Sequence, residues 1–312
     1  HSELQRICTA NIKNEIGRAT YTQMLNESGG IETDLTVICI DKDCFRIISS
    51  AATRTHDKAH ILKHLSPTLE LKDITDELVC LGVFGPKSRN LITKISKDDF
   101  SNKTFKFGYG KFITINSKKV WAQRLSYVGE LGFELYIENK DAKEIYQLII
   151  EEGKNHNLSH CGSHAMDTMR MESGFLHWGH DISPEENQYQ AGLNFAISYR
   201  KEVNFIGKES LLKVKEKKHD RRFIMLSLLD SKPGSPLLLH EEPIYLKDKI
   251  IGRTTSGNYS FNFKKNLSFG YVTSNHTNEA LSKMDLYIEV AKQKYPAKVE
   301  ITPLKDKSSR FL

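Results

Sequence analysis

The chain has 312 residues, of which 39% are hydrophobic and 27% are charged, and a formal net charge of +6. This length suggests about two or three domains, and the balanced composition argues against a disordered chain or a membrane protein. The positive charge comes from lysines spread along the whole sequence, without a recognition motif for DNA or RNA, so no nucleic-acid partner is expected. A mild positive field suits an anionic small molecule.

The five cysteines show no CxxC spacing, so neither a disulfide framework nor a metal site is predicted. This favours a reducing compartment, with the bacterial cytoplasm as the first expectation and the mitochondrial matrix as the alternative. No apolar run approaches the roughly 20 residues that a membrane helix needs, so no membrane partner is expected. The N-terminus lacks the pattern of a signal peptide. The chain starts at His1 and not at an initiating Met, which leads us to expect that its natural beginning is missing.

The first half of the chain alternates strand and helix patterns. Residues 28–34 contain two glycines and predict a tight loop that presents acidic side chains at the edge of a strand. Residues 35–49 predict a β-hairpin, and residues 56–64 predict an amphipathic helix. A short strand is expected at 78–84 and a helix at 88–95.

The second half becomes rich in strands. A β cluster at 111–137 and two helices, at 140–156 and 165–174, come first. Six short strands are then predicted at 223–229, 243–245, 250–255, 267–272, 284–290 and 293–301. They predict a small β-sandwich or barrel, with residues 213–222 as its linker. The predicted fold class is therefore α+β, with one domain at 1–212 and a C-terminal β domain at 213–312.

The densest candidate motif lies at residues 124–136, where Gly129 and Gly132 flank a carboxylate and Glu134 follows four residues later. Glycine in a strand often marks a bulge or a close ligand, and an ionised acid matches the paired donors of an amino-pyrimidine edge. Tyr127 offers an aromatic face for a flat ring. The alternative is an ordinary turn with solvated acids.

Two other polar motifs have structural interpretations. Asp167 and Arg170 stand three residues apart, as expected of an ion pair that stabilises a helix. Residues 178–181, which end in His180 and Asp181, predict a hydrogen-bonded turn more strongly than an acid–base or metal site. The usual glycine fingerprints for FAD and NAD are absent from this sequence, so a flavin used by the protein has to bind on another segment.

Taken together, these motifs resemble the aminomethyltransferase (T-protein) family of the glycine cleavage system. The likeness is greatest to the version that follows the FAD domain of dimethylglycine and sarcosine dehydrogenases. The segments that carry it are residues 17–26, 29–37, 127–134, 165–174, 178–181, 191–193, 205–208 and 254–257. Residues 1–26 enter the family pattern part-way through its first domain. The resemblance implies the folate-binding fold of that family, with mixed α/β domains and a small C-terminal barrel.

The resemblance also implies a tetrahydrofolate pocket. The acid of the glycine loop that faces the reactive folate nitrogens corresponds to Asp34, which is the expected catalytic residue. T-proteins carry two adjacent acids there, and this chain has Thr33-Asp34, so Glu32 remains an alternative. The tyrosine and the final glutamate of the family motif correspond to Tyr127, for ring packing, and Glu134, for the pterin edge.

One residue differs from the T-protein pattern and indicates which branch of the family the chain resembles. Met166 stands where T-proteins have an arginine that helps to hold folate, which favours the dehydrogenase-linked branch and leaves the partner of the folate glutamate tail open. The implied function is the one-carbon acceptor part of an FAD-dependent N-methylglycine dehydrogenase, forming methylene-tetrahydrofolate, with FAD on an upstream domain of the same polypeptide. The alternatives are a free-standing folate-dependent aminomethyltransferase and a non-catalytic regulatory relative.

Overall fold

The computed structural model describes residues 1–216 and 221–312. The helices are α1 (Ser2–Ile7), α2 (Arg54–His64), α3 (Ser88–Ile95), α4 (Asn139–Gly153), α5 (Ser163–Glu172), α6 (Lys208–Glu216) and α7 (Asn278–Leu281). The strands are β1 (Ala19–Leu25), β2 (Ile31–Asp41), β3 (Cys44–Ile48), β4 (Leu78–Phe84), β5 (Gly110–Ile115), β6 (Lys118–Gln123), β7 (Gly132–Glu138), β8 (Arg221–Leu228), β9 (Pro243–Leu246), β10 (Lys249–Ser260), β11 (Lys265–Thr273), β12 (Leu286–Val290) and β13 (Gln293–Glu300). No helix among these residues is long and apolar enough to cross a membrane.

The first sheet is antiparallel and has the order β1-β2-β3. Its β1–β2 connection is closed by Asn26, whose side-chain oxygen accepts hydrogen bonds from the backbone N–H groups of Ser28 (3.0 Å) and Gly30 (2.9 Å). Gly29 has φ +89°, and a Cβ on Gly30 would lie 2.1 Å from the Pro184 carbonyl oxygen. Both glycines are therefore required by the shape of this loop.

Residues in the first half of β2 alternate between buried and half-buried, because one face of the sheet packs on the core. Leu35 and Val37 on the buried face join a cluster with Ile61 of α2. The other face carries Glu32 and Asp34. The predicted loop at 28–34 therefore needs a correction, since its acids lie inside a strand and only its glycine part forms the turn.

The second sheet is antiparallel, has the order β4-β7-β6-β5, and is covered by α3 and α4. Phe133, Leu135 and Ile137 alternate along β7 into this core. The side chains of Glu134 and Tyr136 project to the opposite face, because successive residues of a strand point in opposite directions.

The six C-terminal strands close into a barrel in the order β10-β11-β8-β13-β12-β9. The barrel is joined to the rest of the chain by one apolar cluster that contains Leu25 and Ile31 of the first sheet, Met171 of α5, and Met225 and Phe269 of the barrel. The glycine loop, α5 and the barrel therefore share a core, which places their polar ends next to one another.

The predicted α+β class is confirmed, and the C-terminal strands form a barrel rather than a sandwich. The strand at 78–84 and the helix at 88–95 have the predicted bounds. The predicted linker at 213–222 overlaps the end of α6 and the start of β8, and its residues 217–220 lie outside the described residues. The domain boundary at 212/213 stays a prediction.

Candidate functional site

Asp34 lies on β2 directly opposite Gln23 of β1. Its Oδ1 accepts a hydrogen bond of 2.7 Å from Gln23 Nε2. Burial raises the pKa of Asp34 to about 6, and the nearby Asp57 raises it further, whereas the hydrogen bonds from Gln23 and Tyr21 act in the opposite direction. A carboxyl group with such a pKa exchanges protons close to neutral pH, which suits acid–base work.

Tyr21 lies next to Asp34 and is partly accessible to solvent. The Tyr21 side chain is 38% exposed, yet burial, followed by the charge of Asp34, raises its pKa well above the usual value. The Tyr21 ring stacks on Phe195, which is 72% exposed, with centroids 6.2 Å apart. The neighbourhood of Asp34 thus contains an acid and two accessible aromatic rings.

Tyr127 belongs to the same neighbourhood. It lies in the turn before β7, where its hydroxyl donates a 3.0 Å hydrogen bond to the Leu176 carbonyl and its ring stacks on Phe175 at 6.2 Å. The pKa of Tyr127 is raised to about 12, first by burial and also by Asp34, while Arg170 lowers it. The structure therefore brings Asp34 and Tyr127 together, although 93 positions separate them in the sequence.

Glu134 has a different set of neighbours. It lies on β7 between Gln123 of β6 and Gly82 of β4, and its Oε2 accepts a 2.6 Å hydrogen bond from the Tyr136 hydroxyl. Burial raises the pKa of Glu134, and this hydrogen bond opposes the rise. Within residues 1–216 and 221–312, Glu134 shares no hydrogen bond or ion pair with Asp34.

Glu32, the alternative to Asp34, is engaged elsewhere. Its Oε1 accepts a 2.9 Å hydrogen bond from Asn26 Nδ2, and its Oε2 lies 3.2 Å from His56 Nε2. These contacts tie Glu32 to the glycine loop and to α2. Asp34 is the acid of this pair that meets Tyr21, which makes it the better candidate for a ligand-facing group.

Sequence reasoning missed a buried row of polar side chains behind Asp34. Gln188 Nε2 donates to Gln23 Oε1 at 2.6 Å and to Thr9 Oγ1 at 3.0 Å. All three side chains are fully buried. No local pattern signals this row, because Gln188 is 165 residues from Gln23 and a buried glutamine looks like any surface glutamine in a sequence.

Arg170 is the centre of a second polar network. The predicted helix pair is confirmed, with Arg170 Nε 2.7 Å from Asp167 Oδ1, but Arg170 also lies 2.6 Å from Asp181 Oδ2. Asp181 accepts further hydrogen bonds from the hydroxyls of Thr255 (2.6 Å) and Ser256 (2.8 Å) of the barrel. The turn predicted at 178–181 is also confirmed, and the network locks α5, this turn and the barrel together.

A cavity of about 630 Å³ lies elsewhere, between the loop after this turn and strands β9 to β11. Arg221, Arg253 and Tyr271 are among its lining residues, and Asp34, Tyr127 and Glu134 are not. The described residues include no group of three or more histidine, cysteine or acidic side chains arranged to hold a metal ion. Asp34, with its raised pKa and its accessible aromatic neighbours, is the candidate site on chemical grounds.

Two domains of known protein families together cover nearly the whole chain. The GCVT N-terminal domain matches residues 1–201, and the glycine cleavage T-protein C-terminal barrel domain matches residues 221–306. The chain belongs to the glycine cleavage T-protein (GCVT) family. The resemblance seen in the sequence is thereby confirmed.

Curated relatives of this T-protein-family chain fall into two groups. The chain is 34% identical to the 4-methylaminobutanoate oxidase (formaldehyde-forming) of Paenarthrobacter nicotinovorans and 33% identical to the mitochondrial dimethylglycine dehydrogenase of Homo sapiens, over 97% and 95% of its own length. It spans only 36% and 34% of those proteins. It is also 30% identical to the aminomethyltransferase of Anoxybacillus flavithermus, covering 96% of this chain and 80% of that protein.

A solved structure confirms the fold. The glycine cleavage system aminomethyltransferase T of Bartonella henselae matches with a TM-score of 0.82, covering 98% of this chain and 81% of that one at 22% identity. The three-part arrangement of two sheets and a barrel is thus the T-protein arrangement.

Proposed function

We propose that this chain binds tetrahydrofolate and is the one-carbon acceptor part of an FAD-dependent N-methylglycine dehydrogenase, forming methylene-tetrahydrofolate. The observation that carries the proposal is the Asp34 carboxyl group, whose pKa is raised to about 6 and which is held by Gln23 beside the accessible Tyr21 and Phe195 rings. Asp34 is the proposed catalytic residue, and Tyr127 and Glu134 are the proposed cofactor-binding residues.

The residues around Asp34 suit the chemistry of a reduced folate. A flat bicyclic ring needs aromatic walls, which Tyr21 and Phe195 offer on one side, and Tyr127 lies near Asp34. The donor edge of a pterin needs a carboxylate acceptor, and Glu134 is an acid whose second oxygen is not used by Tyr136. Bound tetrahydrofolate would supply the nucleophilic amine that takes up a one-carbon unit from an iminium.

Asp34 has two tasks in this proposal. Its ionised carboxylate accepts a hydrogen bond from the reacting amine and so orients it. This orientation lowers the entropic cost of reaching the reactive geometry. It then receives the proton that the amine loses, and a pKa near 6 keeps that proton transfer close to balanced at neutral pH.

The context of the reaction comes from the longer relatives. The chain spans about a third of the oxidase and dehydrogenase relatives, so we place the flavin chemistry on an upstream domain of the same polypeptide. The exposed Met166 of α5, in the position where the sequence departs from free T-proteins, is in line with this branch. The human dehydrogenase is named a mitochondrial protein, and the compartment of this protein is proposed to be the cytoplasm or the mitochondrial matrix.

A second candidate is a free-standing folate-dependent aminomethyltransferase. The chain covers 80% of a relative named aminomethyltransferase. Similarity to that relative therefore does not call for an additional flavin domain. The two candidates differ in their donor, because an aminomethyltransferase of this kind takes its carbon from a carrier rather than from a flavin-generated iminium. Activity that depends on an added carrier protein would favour this second candidate.

The test is a calorimetric titration of tetrahydrofolate into the full-length polypeptide, as the wild type and as Asp34→Ala. Asp43→Ala is the matched control, because Asp43 is an exposed acid in the β2–β3 turn of the same sheet. We expect binding to survive in both variants, while Asp34→Ala lowers methylene-tetrahydrofolate formation by about 10²- to 10⁴-fold, the usual contribution of a general base. Free formaldehyde should rise correspondingly. Absence of binding to the wild type would refute the proposal and favour a regulatory protein.

A further inference from the structure

The buried row behind Asp34 has a fixed direction. Thr9 Oγ1 donates its hydrogen to the Ala196 carbonyl at 3.1 Å, so it can only accept from Gln188 Nε2. The second N–H of Gln188 points to Gln23 Oε1 at 2.6 Å. Since the oxygen of the Gln23 amide is held there, its NH₂ group has to face Asp34.

The reverse direction is less favourable. If the Gln23 amide turned over, its oxygen would face Asp34 and its NH₂ group would face Gln188, whose own amide would have to turn as well. Both N–H groups of Gln188 would then point to where its Oε1 now lies, a buried place without a hydrogen-bond partner among the described residues. In the observed direction one buried acceptor, Gln188 Oε1, has no hydrogen-bond partner among the described residues. In the reverse direction the two N–H donors of Gln188 would have none, and each unsatisfied group costs about 1–3 kcal/mol.

We propose that Gln188 is a positioning residue that fixes the orientation of the Gln23 amide and thereby keeps an N–H donor on the Asp34 carboxylate. This inference rests on the proposed function, because it assigns Gln188 a part in keeping Asp34 ionised and oriented. Among the described residues, the hydrogen-bonded route from Gln188 to Asp34 runs through Gln23.

Other groups that face Asp34 do not depend on Gln188. Tyr21 of β1 and Asp57 of α2 also lie near Asp34: Tyr21 acts to lower the pKa of Asp34, and the charge of Asp57 raises it. Tyr127 of the turn before β7 is uncharged at neutral pH, because its own pKa is raised to about 12. The amide of Gln23 differs from these because it presents a donor in one orientation and an acceptor in the other. Its orientation therefore decides whether it stabilises the charged or the protonated form of Asp34.

The test follows the titration of Asp34 itself by carboxyl ¹³C NMR in the full-length polypeptide, with Asp34→Asn to assign the signal. Gln188→Met removes both hydrogen bonds and keeps the side-chain volume, and we expect the Asp34 midpoint to move upward by about one pH unit. Gln190→Met is the control in the same loop, since the Gln190 side chain bonds only to Asn187 among the described residues. We expect no movement with it.

A double-variant comparison separates positioning from general loosening. In a Gln23→Met background, Gln188→Met should add no further movement of the Asp34 midpoint, because the route between them is gone. The inference would be overturned if Gln188→Met alone left the Asp34 midpoint unchanged. It would also be overturned if Gln188→Met moved the midpoint equally in the wild-type and Gln23→Met backgrounds. If Gln188→Met does not fold, Thr9→Val removes the anchor of Gln188 and should move the midpoint upward by a smaller amount.

The role of Gln188 and the binding of tetrahydrofolate are tested by separate measurements. The NMR titration needs no ligand, so it decides the role of Gln188 whether or not the protein binds tetrahydrofolate. Calorimetry with tetrahydrofolate on the same wild-type protein decides the proposed function. In an active protein, the acid limb of the pH profile for methylene transfer should move upward with Gln188→Met and stay in place with Gln190→Met.

Discussion

Replacing Asp34 by asparagine should make the fold more stable at neutral pH while it removes the proposed catalytic group. Burial raises the pKa of Asp34 from 3.8 to about 6, so the folded protein holds this proton more tightly than the unfolded chain does. Ionisation of Asp34 therefore costs stability, and the cost grows as the pH rises from about 4 to about 6. Above that range it stays constant.

The size of the effect follows from the pKa change. A rise of about two pH units corresponds to roughly 3 kcal/mol, as 1.36 kcal/mol is the equivalent of one unit. Asp34 is only half-buried, so solvent screens part of this cost, and an asparagine keeps the hydrogen bond from Gln23. We expect Asp34→Asn to raise the free energy of unfolding by roughly 1–2 kcal/mol at pH 7.5 and to change it little at pH 4.

The assay is urea unfolding of the wild type and the variant between pH 4 and pH 8, followed by circular dichroism. Asp43→Asn serves as the control, since its exposed carboxyl group should give no comparable pH-dependent gain. A variant that is less stable than the wild type at pH 7.5, or a difference that does not change between pH 4 and pH 7, would show that burial does not penalise the Asp34 charge.

Two further predictions concern stability. Asp181→Asn should lower the free energy of unfolding by about 3–5 kcal/mol, because it leaves the buried Arg170 charge without its fully buried partner. Asp167→Asn, which changes a partner that is 32% exposed, should cost about 1 kcal/mol or less, and equal losses in urea unfolding would contradict this ranking. Gly30→Ala should cost at least about 1–3 kcal/mol, since the new Cβ would lie 2.1 Å from the Pro184 carbonyl oxygen; a thermal midpoint equal to that of the wild type would argue against so tight a contact.

The site combines residues that are visible in the sequence with others that are not. Asp34, Tyr127 and Glu134 stand in motifs, and so they were predicted as site residues, a role that stays a prediction. Gln23 and Gln188 carry no motif, and their hydrogen bond joins positions 165 residues apart. Their importance comes from burial, which a sequence pattern cannot show for a polar side chain.

The sequence by itself determined the local elements, because period-two alternation and turn residues depend on neighbours only a few positions apart. It thus predicted the β2–β3 hairpin, the helix pair of Asp167 and Arg170, and the six C-terminal strands. Strand periodicity left a sandwich or a barrel open, and the tertiary structure shows that the strands close into a barrel. Only the tertiary structure decided that Asp181 meets Arg170. Only the packed fold also placed Asp34 within a strand, where burial raises its pKa, since desolvation depends on segments brought together from distant parts of the chain.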